Sequence, residues 1–156
     1  MIEVTIPGFK NLALEHLVLD FNGTLAVDGR LLPGVFNRLR KLAALLDVHV
    51  ITADTFGQVR QALEGLEVDI RILAGSSQAE AKRAFVEELG AGRVVAIGNG
   101  RNDRLMLQAA ALGIAVASAE GSATSAMAAA HVHMAGILDA FDLLGSPLRL
   151  TATLRD

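Results

Sequence analysis

Six short runs of Val, Ile, Leu and Ala recur along the chain, and the stretches between them carry helical rather than alternating spacing. The runs are LVLDF at 17–21, VHVITA at 48–53, VDIRIL at 68–73, VVAIGNG at 94–100, GIAVAS at 113–118 and HVHMA at 131–135. Such near-continuous apolar strands suit a sheet covered on both faces, and strands alternating with helices imply parallel βαβ units. Right-handed crossovers then place helices on both sides, giving an α/β fold of three layers with a mainly parallel sheet. Between the runs, Val35, Phe36, Leu39, Leu42, Leu45 and Leu46 fall at helical spacing over Pro33–Leu46, with Pro33 near the first turn. Thr55 with Gln58 reads as a capping box opening a helix through Leu63, and Ser77 with Glu80 as another, for a helix to Leu89 closed by Gly90. Further helices are expected over Asn102–Ala111, Ser122–Ala129 and Gly136–Leu144. Only the start differs: MIEVTIPG and NLALEH read as a hairpin, with turn residues at Pro7-Gly8 and Asn11.

The length of 156 residues fits one domain over 1–156, and 52% hydrophobic content marks a globular chain. A net charge of −3 gives no footprint for nucleic acid or an anionic membrane. With no cysteine there is neither a disulfide framework nor a thiolate metal site. The N-terminus carries Glu3 early and lacks a signal-peptide core. The longest weakly polar run, Leu105–Ala119, is broken by Gln108 and Gly113 and is too short to span a bilayer. A soluble cytoplasmic protein is expected, with no nucleic-acid or membrane partner.

In open α/β sheets ligands bind beyond the carboxyl ends of the strands. Several strands here end in polar residues: Asp20 and Asn22, then Thr52 and Asp54, then Asn99, Asn102 and Asp103, with Lys82 on a following helix. Two carboxylates, a hydroxyl and one lysine are the groups needed around a phosphoryl group and Mg²⁺. The ion takes oxygen ligands, usually one or two carboxylates with several waters. Lysine offsets the negative charge, hydroxyl and backbone N–H groups bind phosphate oxygens, and a carboxylate can attack phosphorus. Each residue alone also has a plain reading. Asp20-Phe21-Asn22-Gly23 makes a turn, Asn99 and Asn102-Asp103 cap a helix, Thr52 is a strand residue and Lys82 a solvated one.

Together, DFNGTLA at 20–26, Thr52 ending VIT, Lys82, and GNGRND at 98–103 resemble the four motifs of the haloacid dehalogenase (HAD) superfamily. The resemblance runs from about Leu17 to Ala117. The first and fourth motifs are specific, and the Asn-Gly-Thr of the first looks closest to soluble P-type-ATPase-like members. It implies a Rossmann-like, HAD-like fold and a Mg²⁺-dependent hydrolase acting on a phosphorylated substrate. Asp20 matches the phosphoryl-accepting nucleophile, and the main-chain carbonyl of Asn22 a Mg²⁺ ligand. Thr24 matches the residue steadying the loop, Thr52 the phosphate-binding hydroxyl, Lys82 the lysine holding nucleophile and phosphate, and Asp103 the acidic metal ligand. Ala53, beside Thr52, joins the phosphate-binding set; Asn99 and Asn102 are secondary. Arg83 competes with Lys82 in sequence.

Two positions depart from the pattern. Many members carry Asp where Asn22 stands, and often Asp where Asn99 stands. The first change removes the proton donor and acceptor of the usual mechanism, so hydrolysis of an aspartyl-phosphate is expected to be slow. The second removes a carboxylate near the metal. An alternative is a weakly active or inactive regulatory or binding domain on the same scaffold. The spacers Gly23–Pro33 and Leu66–Gly75 are too short for a cap domain, and capless members of the superfamily are often oligomers, so a homo-oligomer is expected. His131 and His133 have the spacing of a metal pair but lack an evident third ligand. His16 and His49, at strand starts, read as structural. The 98–102 segment lacks the third glycine of a dinucleotide loop.

Overall fold

The computed structural model describes residues 1–53 and 58–156. Asp54 and Thr55 lie outside the described residues, and with them the first of the two expected capping boxes. The chain opens with an antiparallel hairpin of β1 (Ile2–Ile6) and β2 (Lys10–Leu14), turning through Gly8 at φ +78°. Asn11 is not a turn residue: it lies within β2, opposite Thr5.

The core sheet has six parallel strands. They are β3 (His16–Asp20), β6 (Asp47–Thr52), β7 (Asp69–Ile72), β8 (Val94–Gly98), β9 (Leu112–Val116) and β10 (Val132–Met134), in the spatial order β10-β9-β8-β3-β6-β7. From β3 the chain runs outward through β6 to β7, then crosses back to β8 and runs out the other way. Strand order therefore reverses beside β3, which opens a crevice at its carboxyl end. All five residues of β8 and of β9 are buried, as expected for strands covered on both faces.

Pleating divides the apolar residues into two layers. Leu17 and Leu19 of β3 join Leu39 and Leu42 of α1 (Val35–Ala43), Val59 of α2 (Gln58–Ala62) and Phe141 of α6 (Ile137–Leu144). On the other face Val18 and Ile51 pack with Phe85 of α3 (Gln78–Glu88), Met106 of α4 (Arg104–Ala109) and Ala126 of α5 (Thr124–Ala129). This is the three-layer α/β fold expected. Where a cap would be inserted after the first motif, the chain forms only a short ribbon of β4 (Ala26–Val27) and β5 (Arg30–Leu31).

Several boundaries shift for local reasons. Helix α1 starts after Gly34, which sits at φ +87° and breaks the run from Pro33. It stops at Ala43, leaving Leu45 half exposed and only Leu46 in the core. Ser77 stands at the N-cap of α3 but makes no side-chain cap bond, so the second expected capping box is absent. The helix expected from Asn102 begins as a 3₁₀ turn over Arg101–Asp103, with α4 following. A further helix, α7 (Pro147–Leu154), packs Leu150 into the core near β1 and extends past the last helix expected.

Candidate active site

Asp20 is the last residue of β3, at the reversal point, and is almost wholly buried. The chain then curls tightly. The carbonyl of Phe21 accepts N–H bonds from Thr24, Leu25 and Ala26, and Gly23 N–H donates to Ala26 at 2.7 Å. Gly23 has φ +78°, and a Cβ there would overlap the Asn99 amide. The Asn22-Gly23 pair is thus a turn, as its plain reading says, and that turn is what brings the loop against the end of β8.

Lys82, on α3, is completely buried and joins the two acids. Its ammonium donates to Asp20 Oδ1 at 2.6 Å and to Asp103 Oδ1 at 2.7 Å. Asp103 is completely buried too, and its Oδ2 accepts the backbone N–H groups of Asn99 at 3.0 Å and Gly100 at 2.8 Å. Gly98 has no Cβ where one would strike that carboxylate. Arg83, the rival to Lys82, points outward and pairs with Glu87 on the surface. The Thr24 hydroxyl lies 3.2 Å from both Asp20 Oδ2 and Asn99 Oδ1. Asn99 Nδ2 donates to Gly121 O at 3.0 Å, tying the first loop to the one after β9.

Two buried carboxylates share one buried cation. Burial, then the neighbouring Asp103, push the Asp20 carboxyl up to about 7 against the pull of Lys82 and Thr24. Burial works to lower Lys82, but Asp20 and Asp103 together hold it above the ordinary lysine value. The triad with both acids ionised carries one uncompensated negative charge. Its donors are hard oxygens, the set a divalent cation of the Mg²⁺ type prefers. Asp20 and Asp103 therefore offer the kind of donors such an ion could take.

The remaining expected residues fall as follows. Thr52 is buried at the end of β6, one position beyond Ile51, which pairs with Asp20, and Ala53 follows it half-buried. The side chain of Asn22 is exposed at the mouth. Asn102 bonds to Gln78 at 3.0 Å, joining the 3₁₀ turn to the start of α3. His131 is engaged elsewhere: its Nδ1 accepts the Gly113 N–H at 2.9 Å, while His133 is exposed. Sequence reasoning missed Gly121 and Glu120. The carboxylate of Glu120 accepts the Asp28 N–H at 3.0 Å at the tip of the β4–β5 ribbon. No local motif marks either residue, because each acts through a loop distant in sequence.

Fold and crevice define a parallel α/β scaffold with a strand-end carboxylate, a lysine bridge and a second carboxylate. Residues 74–138 match the family model described as haloacid dehalogenase-like hydrolase. The chain belongs to that family. An uncharacterised protein of Methanocaldococcus jannaschii is 44% identical over 64 residues, 41% of this chain and 69% of that protein. Among solved structures, the 3-deoxy-D-manno-octulosonate 8-phosphate phosphatase of Moraxella catarrhalis superposes with TM-score 0.70 at 15% identity, over 91% of this chain and 94% of that one. That structure holds a magnesium ion, a phosphate ion and the sugar acid. The cobalt-bound counterpart from Haemophilus influenzae gives TM-score 0.71 at 13% identity, over 92% of this chain and 94% of that one.

Proposed function

We propose that this chain is a cytoplasmic, divalent-metal-dependent phosphohydrolase that works through a phosphoryl group carried on Asp20. The observation that carries the reading is the buried Lys82 ammonium, 2.6 Å from Asp20 and 2.7 Å from Asp103. A lysine removed from water and held between two acids makes no sense as a surface charge. It fixes the Asp20 carboxylate and offsets the charge of an incoming phosphate.

In the first step Asp20 attacks phosphorus, an O–P bond forms, and the bond to the leaving oxygen breaks. Thr52 and the backbone at Ala53 bind the transferred phosphoryl oxygens, and Thr24 steadies the nucleophile. Asp20, Asp103 and the Asn22 carbonyl would hold Mg²⁺, which when bound neutralises charge on the phosphoryl group. Asn22 has no proton to give at neutral pH, so the leaving group departs unprotonated. That favours acyl phosphates and phosphoanhydrides, including nucleotides, over alkyl phosphate esters. In the second step water attacks phosphorus, the P–O bond to Asp20 breaks to free its carboxylate, and the water's proton leaves with the released phosphate. Without a carboxylate base this step is slow and the intermediate long-lived, as in a P-type-ATPase-like cycle. With no cap over the crevice among the described residues, a homo-oligomer would complete its walls.

The test is phosphate release from acetyl phosphate and from an alkyl phosphate, with and without Mg²⁺. Metal-dependent turnover of the acyl phosphate, lost in Asp20→Asn and Lys82→Met, is expected. Equal turnover in Asp20→Asn would overturn the reading. A second reading, a weakly active or inactive binding domain on this scaffold, is favoured by one observation: Asn99 spends its amide on Thr24 and Gly121. It predicts phosphate or metal binding with no turnover.

A further inference from the structure

A second cluster of titratable groups stands at the other end of the sheet. His16 opens β3 and is in register with Asp47, which opens β6. Two residues along β6, His49 pairs with Val18 on one side and with Asp69, the first residue of β7, on the other. The pleat puts both imidazoles on the face covered by α3, where the Phe85 ring meets His49 edge-on at 5.4 Å. His16 Nδ1 and His49 Nε2 face each other at 3.4 Å. Asp47 Oδ2 lies 3.6 Å from the same His16 nitrogen. The other nitrogen of His49, Nδ1, lies 3.4 Å from Asp69 Oδ2. The two rings are 16% and 13% exposed, against 78% for Asp47 and 55% for Asp69. Burial holds His49 below the ordinary histidine value despite the pull of Asp69.

Two ring nitrogens pointed at each other share at most one proton. The other group that satisfies such a pair is a metal ion. A tetrahedral ion with bonds of about 2.0–2.1 Å sets neighbouring ligand atoms roughly 3.3–3.4 Å apart, the spacing this pair already has. Asp69 stands where a supporting carboxylate stands behind a ligating histidine, accepting from Nδ1 and turning the Nε2 lone pair inward. Among the described residues, no three or more His, Asp or Glu side chains are gathered to hold an ion as they stand. Asp47 is exposed, with its Oδ2 3.6 Å from the same His16 nitrogen, which makes it the candidate third ligand, with water as the fourth.

We propose that His16, His49 and Asp47 form a second metal site, for a divalent transition ion such as Zn²⁺, which staples β3 to β6 at the end of the sheet away from the crevice. Imidazole nitrogens select Zn²⁺, Cu²⁺, Ni²⁺ or Co²⁺ over Mg²⁺. Four residues of strand separate His16 from Asp20, about 13 Å, so the two sites load independently. An ion bound here in the folded state only would stabilise the fold in proportion to ln(1 + [metal]/Kd).

The experiment titrates the full chain, in excess Mg²⁺, with Zn²⁺ by calorimetry and with Co²⁺ by visible absorption. One equivalent is expected to bind with a tetrahedral cobalt spectrum. His16→Gln and His49→Gln should each abolish it, and Asp69→Asn should weaken it by about 10–100-fold. Asp103→Asn and His133→Gln should leave it unchanged. Absence of binding to the wild-type chain overturns the proposal. So does binding that survives both histidine substitutions or that disappears with His133→Gln. Should the glutamine variants fail to fold, electron paramagnetic resonance of the wild-type Cu²⁺ complex decides instead. Coupling to two nitrogens supports the site, and coupling to none overturns it.

Discussion

The lysine bridge has consequences for individual residues that differ in sign with pH. Asp20 titrates at about 7 in the folded chain, above the 3.8 of an ordinary aspartate. The folded state therefore keeps a proton that the unfolded chain has released, and stability contributed by this group falls as pH rises from about 4 to about 7. In metal-free protein, Asp20→Asn should remove that decline and raise the melting temperature at pH 8 by several degrees relative to wild type. Added Mg²⁺ should flatten the wild-type profile, because a cation favours the ionised acid. Melting curves across pH 4–8.5, with and without metal, check both. Lys82→Met leaves two buried acids without their cation, and loss of such a partner costs about 3–5 kcal/mol. Denaturant unfolding at pH 8 measures that loss, which should shrink at pH 5. At the mouth, Asn22→Asp restores a general acid–base group and should speed release of phosphate from the intermediate by about 10²–10⁴-fold. A single-turnover chase with excess unlabelled substrate reads that rate, and an unchanged rate contradicts the role given to Asn22. Asp20 and Asp103 were visible in the sequence as polar residues at strand ends, whereas Lys82 stood out only through its match to the superfamily motif. The work of Asn99 was not: its bonds to Thr24 and Gly121 join loops 75 and 22 residues away, which no local pattern encodes.

At the scale of elements, the strands were legible and the helix ends were not. Strands such as Val94–Gly98 are short, fully buried and almost wholly apolar, so composition alone marks them. Helix limits depend on single backbone conformations, such as Gly34 at φ +87°, which apolar spacing does not reveal. The β4–β5 ribbon is two residues a side, too short for a periodic signal, although its Asp28-Gly29 tip, with both residues at positive φ, is a hairpin turn by chemistry. Helix α7 was missed because few of its residues face the core. Leu150 is fully buried while Leu148 is 85% exposed. Its contribution is measurable: Leu150→Ala should cost about 2–4 kcal/mol, as for other buried leucines. Urea unfolding gives the value, and a loss below about 0.5 kcal/mol would mean α7 does not hold the hairpin in place.

For the molecule as a whole, the order β10-β9-β8-β3-β6-β7 explains why the chemistry sits where it does. Chain reversal beside β3 leaves Asp20 at an open strand end, and the crossover from β7 through α3 returns Lys82 to it before β8 brings in Asp103. Topology could be anticipated from alternating strands and helices; the inward course of α3 that buries Lys82 could not. Among the described residues no helix is long and apolar enough to cross a membrane. The most direct measurement is the intact mass of the protein after exposure to acetyl phosphate and Mg²⁺, compared with Asp20→Asn. The account predicts a phosphate adduct on the wild-type chain, mapped to Asp20 and persistent enough to be seen because Asn22 cannot speed its hydrolysis. An adduct of equal yield on Asp20→Asn, or one mapped to another residue, would contradict it.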